Sequence, residues 1–346
     1  MTNAPETRAG ASRSELPGRG LRVVAVGGGT GLAALLGGLK RRVGREIREL
    51  TAIVAVTDDG GSSGRLRRDF GVPPPGDIRN CLAALADDSD LLTRLFQFRF
   101  AGGEGLSGHS FGNLFLAALT ELTGDFPQAI LTAERVLSVR GRILPATLAA
   151  VQLRGHGISG RIYEGESLIG RAHERLARIE LVPAAPAAHP PALAALRDAD
   201  LVVLGPGSLY TSILPNLLLP ELRDALAAAA APVVLVVNLM TQPGETDGLD
   251  AADHLAALEA HVGDGVVDAL LAHRGELDEE RLAPYRAEGA APVTVDRAAL
   301  AAHGVRALER HLVAAGGLVR HDPERLADAL LALAPEVSRR PSPTRL

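Results

Sequence analysis

The sequence predicts an α/β architecture: a doubly wound, mainly parallel sheet with a small inserted β-containing subdomain. Two observations carry that expectation. Buried-looking apolar runs at Leu21, Leu50, Ala199, Pro232 and Gly265 are separated by Ala/Leu-patterned segments suited to crossover helices. Four of the runs end on clusters of Gly, Ser, Thr, Asn or Asp, the residue types that gather where a parallel sheet meets a ligand.

The first element is LRVVAVGGGTGLAALL, Leu21 to Leu36. A β-branched run stops at Gly27-Gly28-Gly29-Thr30-Gly31 and restarts as an Ala/Leu pattern, which reads as strand, glycine turn and helix. Glycines let the backbone approach a bulky anion, and the free N–H groups of the helix add partial positive charge there. Gly28, Gly29, Thr30 and Gly31 are therefore candidate phosphate contacts. The dinucleotide fingerprint G-x-G-x-x-G needs a third glycine where Leu32 stands, and no Walker lysine follows. A tight turn that only packs strand against helix is the alternative.

Composition narrows the function classes. The chain has 346 residues, 47% apolar and 3% aromatic with no Trp, so its core is built from Ala, Val and Leu. A net charge of -5 with dispersed basic residues argues against nucleic-acid binding, which needs several phosphate contacts at once. Lys40 is the one lysine, so Schiff-base chemistry would rest on it, and phosphate recognition falls to arginines and backbone amides. The single cysteine, Cys81, reads as buried core and excludes an intramolecular disulfide or a Cys-based zinc cluster. That suits a reducing compartment. With no apolar leader and no run of about 20 apolar residues, a cytoplasmic protein without a membrane span is expected.

Residues 1–19 read as a disordered tail, 20–335 as the main domain, 148–190 as an insertion within it, and 336–346 as a loose end. A helix is expected over Leu32 to Arg42 and a second strand over Leu50 to Val56. The loop after that strand, TDDGGSSGR, should face the glycine turn. Asp58 and Asp59 suit ribose hydroxyls or a Mg²⁺ bridging phosphates, and Ser62 and Ser63 lie in a second phosphate nest followed by Arg65, Arg67 and Arg68. The competing reading is an Asp-capped helix beginning near Ser62 with solvated arginines.

Pro73-Pro74-Pro75 fixes the entry to a helix that Asp77 is placed to cap, with Arg79 and Asn80 directed at the crevice. A helix over Leu91 to Phe100 carries three of the seven phenylalanines. His109, Ser110 and Asn113 sit where GLSGHSFGN turns into an apolar helix, positioned to grip an anion, although a lone His is more often structural. Another helix is expected from Phe126 to Val139, ending at Arg140-Gly141-Arg142.

Leu148 to Val182 breaks into short pieces that suggest a small β excursion. The parallel pattern resumes at Ala199 to Leu204 and runs into Gly205-Pro206-Gly207-Ser208-Leu209-Tyr210-Thr211-Ser212, repeating the logic of the first turn. Gly205, Gly207, Ser208 and Thr211 suit a diphosphate, and Tyr210 a ring or sugar. Ser208 lacks the G-x-S-x-G elbow of a nucleophile. Asn238 closes the strand from Pro232 to Leu239. A helix through Leu255 and Leu258, a strand over Gly265 to Ala272 and a last helix from Pro323 to Leu333 complete the pattern.

The ordered blocks VVAVGGGTGL, TDDGGSSGRLR, PPPGDIRNCL, GHSFGNLFLAAL, GPGSLYTSILPNLL and NLMTQPGETDG closely resemble the YvcK-type gluconeogenesis factors, relatives of the 2-phospho-lactate transferases. The match runs from residue 21 to about 335. It implies a Rossmann-like fold that binds a nucleotide sugar of the UDP-N-acetylglucosamine type, with NAD as a further ligand. It also implies a role in gluconeogenic growth, cell shape and peptidoglycan precursor supply, with regulatory partner proteins of cell-wall synthesis and a homo-oligomeric state. By the same resemblance Tyr285 and Arg320 match positions associated with the UDP-sugar. The alternative is a Mg²⁺-dependent transferase using a nucleoside diphosphate-linked donor at Asp58 or Asp59.

Overall fold

A computed structural model describes residues 20–87, 90–172, 174–337 and 339. The expected tail 1–19, and 336–346 apart from 336, 337 and 339, lie outside the described residues. Ten strands are present among them: β1 (Leu21–Gly27), β2 (Ile47–Val54), β3 (Arg142–Pro145), β4 (Gln152–Gly157), β5 (Ile162–Glu164), β6 (Leu176–Val182), β7 (Leu201–Leu204), β8 (Val233–Val236), β9 (Ala269–His273) and β10 (Arg306–Arg310). Seven form one sheet in the order β10-β9-β8-β7-β1-β2-β3, and every neighbouring pair is parallel. β5-β4-β6 form a separate antiparallel sheet, the expected small β excursion.

Why this sheet is buried on both sides follows from its residues. Side chains alternate faces along a strand, so Val24 and Val26 join one core with Val202, Leu204, Leu235 and Leu270. Val23 and Ala25 join the other with Ala52, Val54, Val203 and Val236. Each such Val or Leu side chain contributes roughly 1.5–3 kcal/mol on burial, which is how a core almost without aromatics holds together.

The first half of the chain steps outward from β1 to β2 and β3, and the second from β7 to β8, β9 and β10. The strand order therefore reverses between β1 and β7. Helix α1 (Gly29–Lys40), after β1, buries Leu32, Leu35, Leu36 and Leu39 on one face of the sheet. The helical segment after β7 buries Leu209, Ile213, Leu214 and Leu217 on the other. Two connections leaving in opposite directions open a crevice between them, the place where such sheets bind ligands.

Six further helices follow between β2 and β6: α2 (Gly61–Phe70), α3 (Gly76–Leu85), α4 (Asp90–Gln97), α5 (Phe111–Thr123), α6 (Phe126–Val136) and α7 (Glu166–Ile169). Two expectations need correction, and β10 adds a strand for which none was expected. Arg142 is not the end of a helix but the start of β3, an edge strand too short to carry a periodic signal. β10 went unread because its sequence, RALER, has charges at both ends and little apolar content. The helix expected to reach Phe100 stops at Gln97, so Phe98 and Phe100 lie beyond it. Cys81 is buried as expected. Among the described residues no helix is long and apolar enough to cross a membrane.

Candidate functional site

The two glycine loops meet at the switch point. A Cβ on Gly31 would stand 2.4 Å from the Pro206 carbonyl oxygen, and one on Gly207 would stand 3.4 Å from the Gly28 carbonyl oxygen. At Gly31 only glycine permits that approach of backbone to backbone, and Gly207 is favoured as glycine by its positive φ of 156°. Asn216 ties the loops together, its Nδ2 donating to the Gly27 carbonyl at 3.2 Å and the Ser212 carbonyl at 2.8 Å. Thr30 is exposed in the first turn of α1.

Neither helix start is an open anion cradle. Asp77, expected to cap its own helix, makes no such cap; Pro75 occupies that position. Its carboxylate instead accepts the backbone N–H of Gly29, at the start of α1. Oδ2 would stand 2.5 Å from a Cβ on Gly28. Burial and the Asp58 charge push Asp77 up to about 6, against the stabilising N–H of Gly29. The loop after β7 is organised the same way. Glu245 accepts hydrogen bonds from the Ser208 hydroxyl and the Tyr210 N–H, and burial raises its pKa. Gly207 N–H donates to Asn238 Oδ1 at 3.1 Å, and Asn238 Nδ2 to Gln242 Oε1 at 3.0 Å. Thr211 N–H donates to Ser208 Oγ at 3.1 Å. Tyr210 is only 4% exposed, and its ring packs edge-on against His261.

The exit of β2 joins this centre. Gly76 abuts it so closely that a Cβ there would stand 2.5 Å from Ser63 Oγ and 2.6 Å from Asp58 Oδ2. Asp58 Oδ1 accepts the Gly60 N–H at 2.9 Å, while Asp59 Oδ1 accepts the Ser167 N–H at 2.9 Å from the small β subdomain. The neighbouring carboxylates thus serve different partners. Among the described residues no group of three or more His, Cys, Asp or Glu is arranged to hold a metal ion. Glu166, beside Ser167, accepts the Thr57 hydroxyl at 3.0 Å. Burial, then the charges of Asp77, Asp58 and Asp59, raise it well above the usual carboxylate range.

Helix α5 supplies the remaining wall. Ser110 caps it by accepting the Asn113 N–H at 3.3 Å. Ser62 Oγ and His109 Nδ1 are 2.9 Å apart, and Asn113 Nδ2 donates to Ser63 Oγ at 3.3 Å. Burial, with help from Arg65, lowers the His109 pKa, favouring the neutral ring. Between these groups lies a cavity of about 230 Å³, lined in part by Asp58, Ser62, Ser63, Asp77 and Asn80. Lys40 lies outside the site. It closes the far end of α1, where its Nζ donates to the Ala86 carbonyl at 2.7 Å.

Tyr285 and Arg320 lie together beyond β9 and β10. Tyr285, on the helix Glu279–Ala287, donates to the Val319 carbonyl at 3.2 Å, next to exposed Arg320. Arg281, one turn earlier, donates to the carbonyls of Gly317, Ala314 and Leu318, each at 3.1 Å. Arg320 closes this loop through its own carbonyl, which accepts the Ala314 N–H at 2.9 Å. β9 is two strands from β7, about 10 Å at the usual strand spacing.

Comparison with known proteins places this arrangement. The profile of the family described as 2-phospho-L-lactate transferase CofD matches residues 23–313. The gluconeogenesis factor of Halalkalibacterium halodurans is 46% identical over 317 residues, covering 91% of this chain and 97% of that protein. That of Bacillus subtilis is 45% identical over 316 residues, covering 91% and 98%. The chain belongs to the CofD-like gluconeogenesis factor family. A crystal structure of a Bacillus halodurans protein, 46% identical, superposes with a TM-score of 0.86 and covers 90% of this chain and 99% of its own.

Within this family fold, three carboxylates of the centre escaped the sequence reading as site residues. Asp77 was read as a cap because it sits in the first turn of its helix, and only the tertiary fold turns it onto α1. Glu166 sits on a four-residue helix inside the insertion, where no periodic signal exists. Glu245 lies in the loop after β8, and its partners are 35 or more positions earlier, which no local pattern encodes.

Proposed function

We propose that this chain is a gluconeogenesis factor whose crevice binds a nucleotide sugar of the UDP-N-acetylglucosamine type, and that this binding regulates carbon flux into cell-wall precursors. Cell shape during gluconeogenic growth, cytoplasmic location, regulatory partners in cell-wall synthesis and a homo-oligomeric state belong to the same reading. The observation that supports it is the abutment of the Gly28–Gly31 and Gly205–Gly207 loops at the strand-order reversal, the place where such sheets take phosphorylated ligands. In this reading Tyr285 stacks on the base and Arg320 forks onto an anionic group. Calorimetry with UDP-N-acetylglucosamine, and NAD as comparison, tests it. Saturable binding that weakens in Arg320→Ala is expected, and no saturable binding at millimolar nucleotide sugar refutes it.

The second reading is transfer from a nucleoside diphosphate-linked donor with Mg²⁺ at Asp58 or Asp59, favoured by the family profile over residues 23–313. It requires metal-dependent release of a nucleoside mono- or diphosphate that Asp58→Asn abolishes. Intact nucleotide after long incubation with candidate acceptors counts against it.

A further inference from the structure

One positive charge in the centre makes no ion pair, although the charges of Asp77 and Asp58 act on it from a distance. Arg79, on α3, donates from Nη2 to Asn80 Oδ1 at 2.6 Å, while its Nε is shielded from solvent and bonded to nothing. Among the described residues no carboxylate pairs with it within ion-pair distance. A half-buried guanidinium with no anion in contact is under-compensated, and a bound anion relieves it.

The side chain is held there by construction. A Cβ on Gly112, at the start of α5, would stand 2.8 and 2.9 Å from the Arg79 methylenes and 2.5 Å from the Phe96 carbonyl oxygen. The stem of Arg79 therefore fills the space a larger residue would take. Beside it, Arg99 donates to the Gly108 carbonyl at 2.6 Å and lines the same cavity. Two guanidinium groups side by side repel one another, and a shared anion removes that repulsion. Asn113, only 2% exposed, lines the same cavity, and its Oδ1 is bonded to nothing. Ser62 and Ser63 complete the wall. Asp58 and Asp77 also line it, but each is turned to a backbone N–H, of Gly60 and Gly29. At about 230 Å³ the space is too small for a nucleotide sugar, whose pockets span roughly 300–1,000 Å³.

We infer that the cavity between α2, α3 and α5 is a binding site for a compact phosphoryl group, gripped by Arg79 and Arg99, with Asn113 accepting its P–OH. The planar guanidinium fork suits phosphate oxygens, and a singly protonated phosphate offers the hydroxyl that Asn113 Oδ1 lacks. The inference rests on the crevice being a ligand site, but not on the nucleotide sugar being its occupant. The same group could come from a free phosphate compound or from the diphosphate of the nucleotide sugar.

Titration of the full chain with inorganic phosphate and pyrophosphate, followed by calorimetry, tests the site. Saturable millimolar binding is expected, weakened about tenfold or more in Arg79→Gln and by a smaller factor in Arg99→Gln. Arg99 is exposed, so its replacement keeps the test alive even if Arg79→Gln fails to fold. Failure of wild type to bind either anion overturns the inference, as does unchanged affinity in the folded variants. Competition then separates the sources. Displacement of phosphate by UDP-N-acetylglucosamine assigns the site to the nucleotide's diphosphate, and simultaneous binding assigns it to a separate phosphate compound. Phosphate binding without nucleotide-sugar binding refutes the proposed function alone.

Discussion

The carboxylate of Asp77 accepts the first helical N–H of α1, that of Gly29, and so fills with the protein's own charge the position where a glycine loop ordinarily receives a phosphate. Glu245 does the same for the loop after β7. The crevice is built from glycine loops, as its sequence suggests, but its helix starts are stoppered.

Asp77 makes stability fall as pH rises. Its folded value of about 6 lies above the ordinary 3.8, so between these pH values the native chain keeps a proton the unfolded chain has released. The contribution is fully present below the lower value and is lost through the upper one, by roughly 3 kcal/mol. Asp77→Asn keeps an oxygen for Gly29 and removes the ionisation. In urea denaturation the variant should match wild type near about pH 4 and exceed it near about pH 8. Parallel pH profiles would show that Asp77 is ordinary.

His321 acts in the opposite sense. Burial and the nearby His273 lower its pKa from 6.5 to about 4, against the hydrogen bond to Val237. The unfolded chain therefore takes up a proton first as pH falls, and stability is lost from about 6.5 downward, by roughly 3 kcal/mol. His321→Asn should flatten this acid limb, measured as thermal midpoint against pH.

Two glycines of α1 should respond in opposite directions. Gly31→Ala drives a methyl onto the Pro206 carbonyl and should cost roughly 1–3 kcal/mol. A Cβ on Gly37 meets nothing within 4 Å, so Gly37→Ala should stabilise the helix by up to about 1 kcal/mol. Chemical denaturation of the pair isolates loop contact from helix propensity.

Arg281→Ala removes three carbonyl contacts that hold the loop carrying Arg320. Faster amide exchange at Ala314 is expected, together with weaker nucleotide-sugar binding. Tyr285→Phe removes one hydrogen bond and should cost about 1 kcal/mol, with a smaller change in exchange. Unchanged exchange in Arg281→Ala would show that the loop holds itself.

What could be read in the sequence was local chemistry. The strand–glycine–helix transition at Gly27 to Gly31 is fixed by adjacent residues. The last helix, Pro323–Leu333, likewise announces itself by proline, period and an Asp cap. Edge strands β3 and β10 did not, since four or five residues are too few to hold a period. The carboxylates of the centre are a question of long-range geometry. Asp77 meets Gly29 across 48 positions and Glu166 meets Thr57 across 109. Tyr285 and Arg320 came from resemblance alone, because their surroundings carry no motif of their own.

The small β subdomain touches the centre at one margin, where Ser167 N–H meets Asp59 and Glu166 meets Thr57. It is fastened again at β6, where the Ile179 N–H donates to His261 at 3.0 Å, on a helix of the main sheet. Between these moorings Leu153, Ile169 and Leu181 share one apolar core with Val24 and Leu235. The insertion is a buttress welded to the main sheet, and it moves only if that core opens.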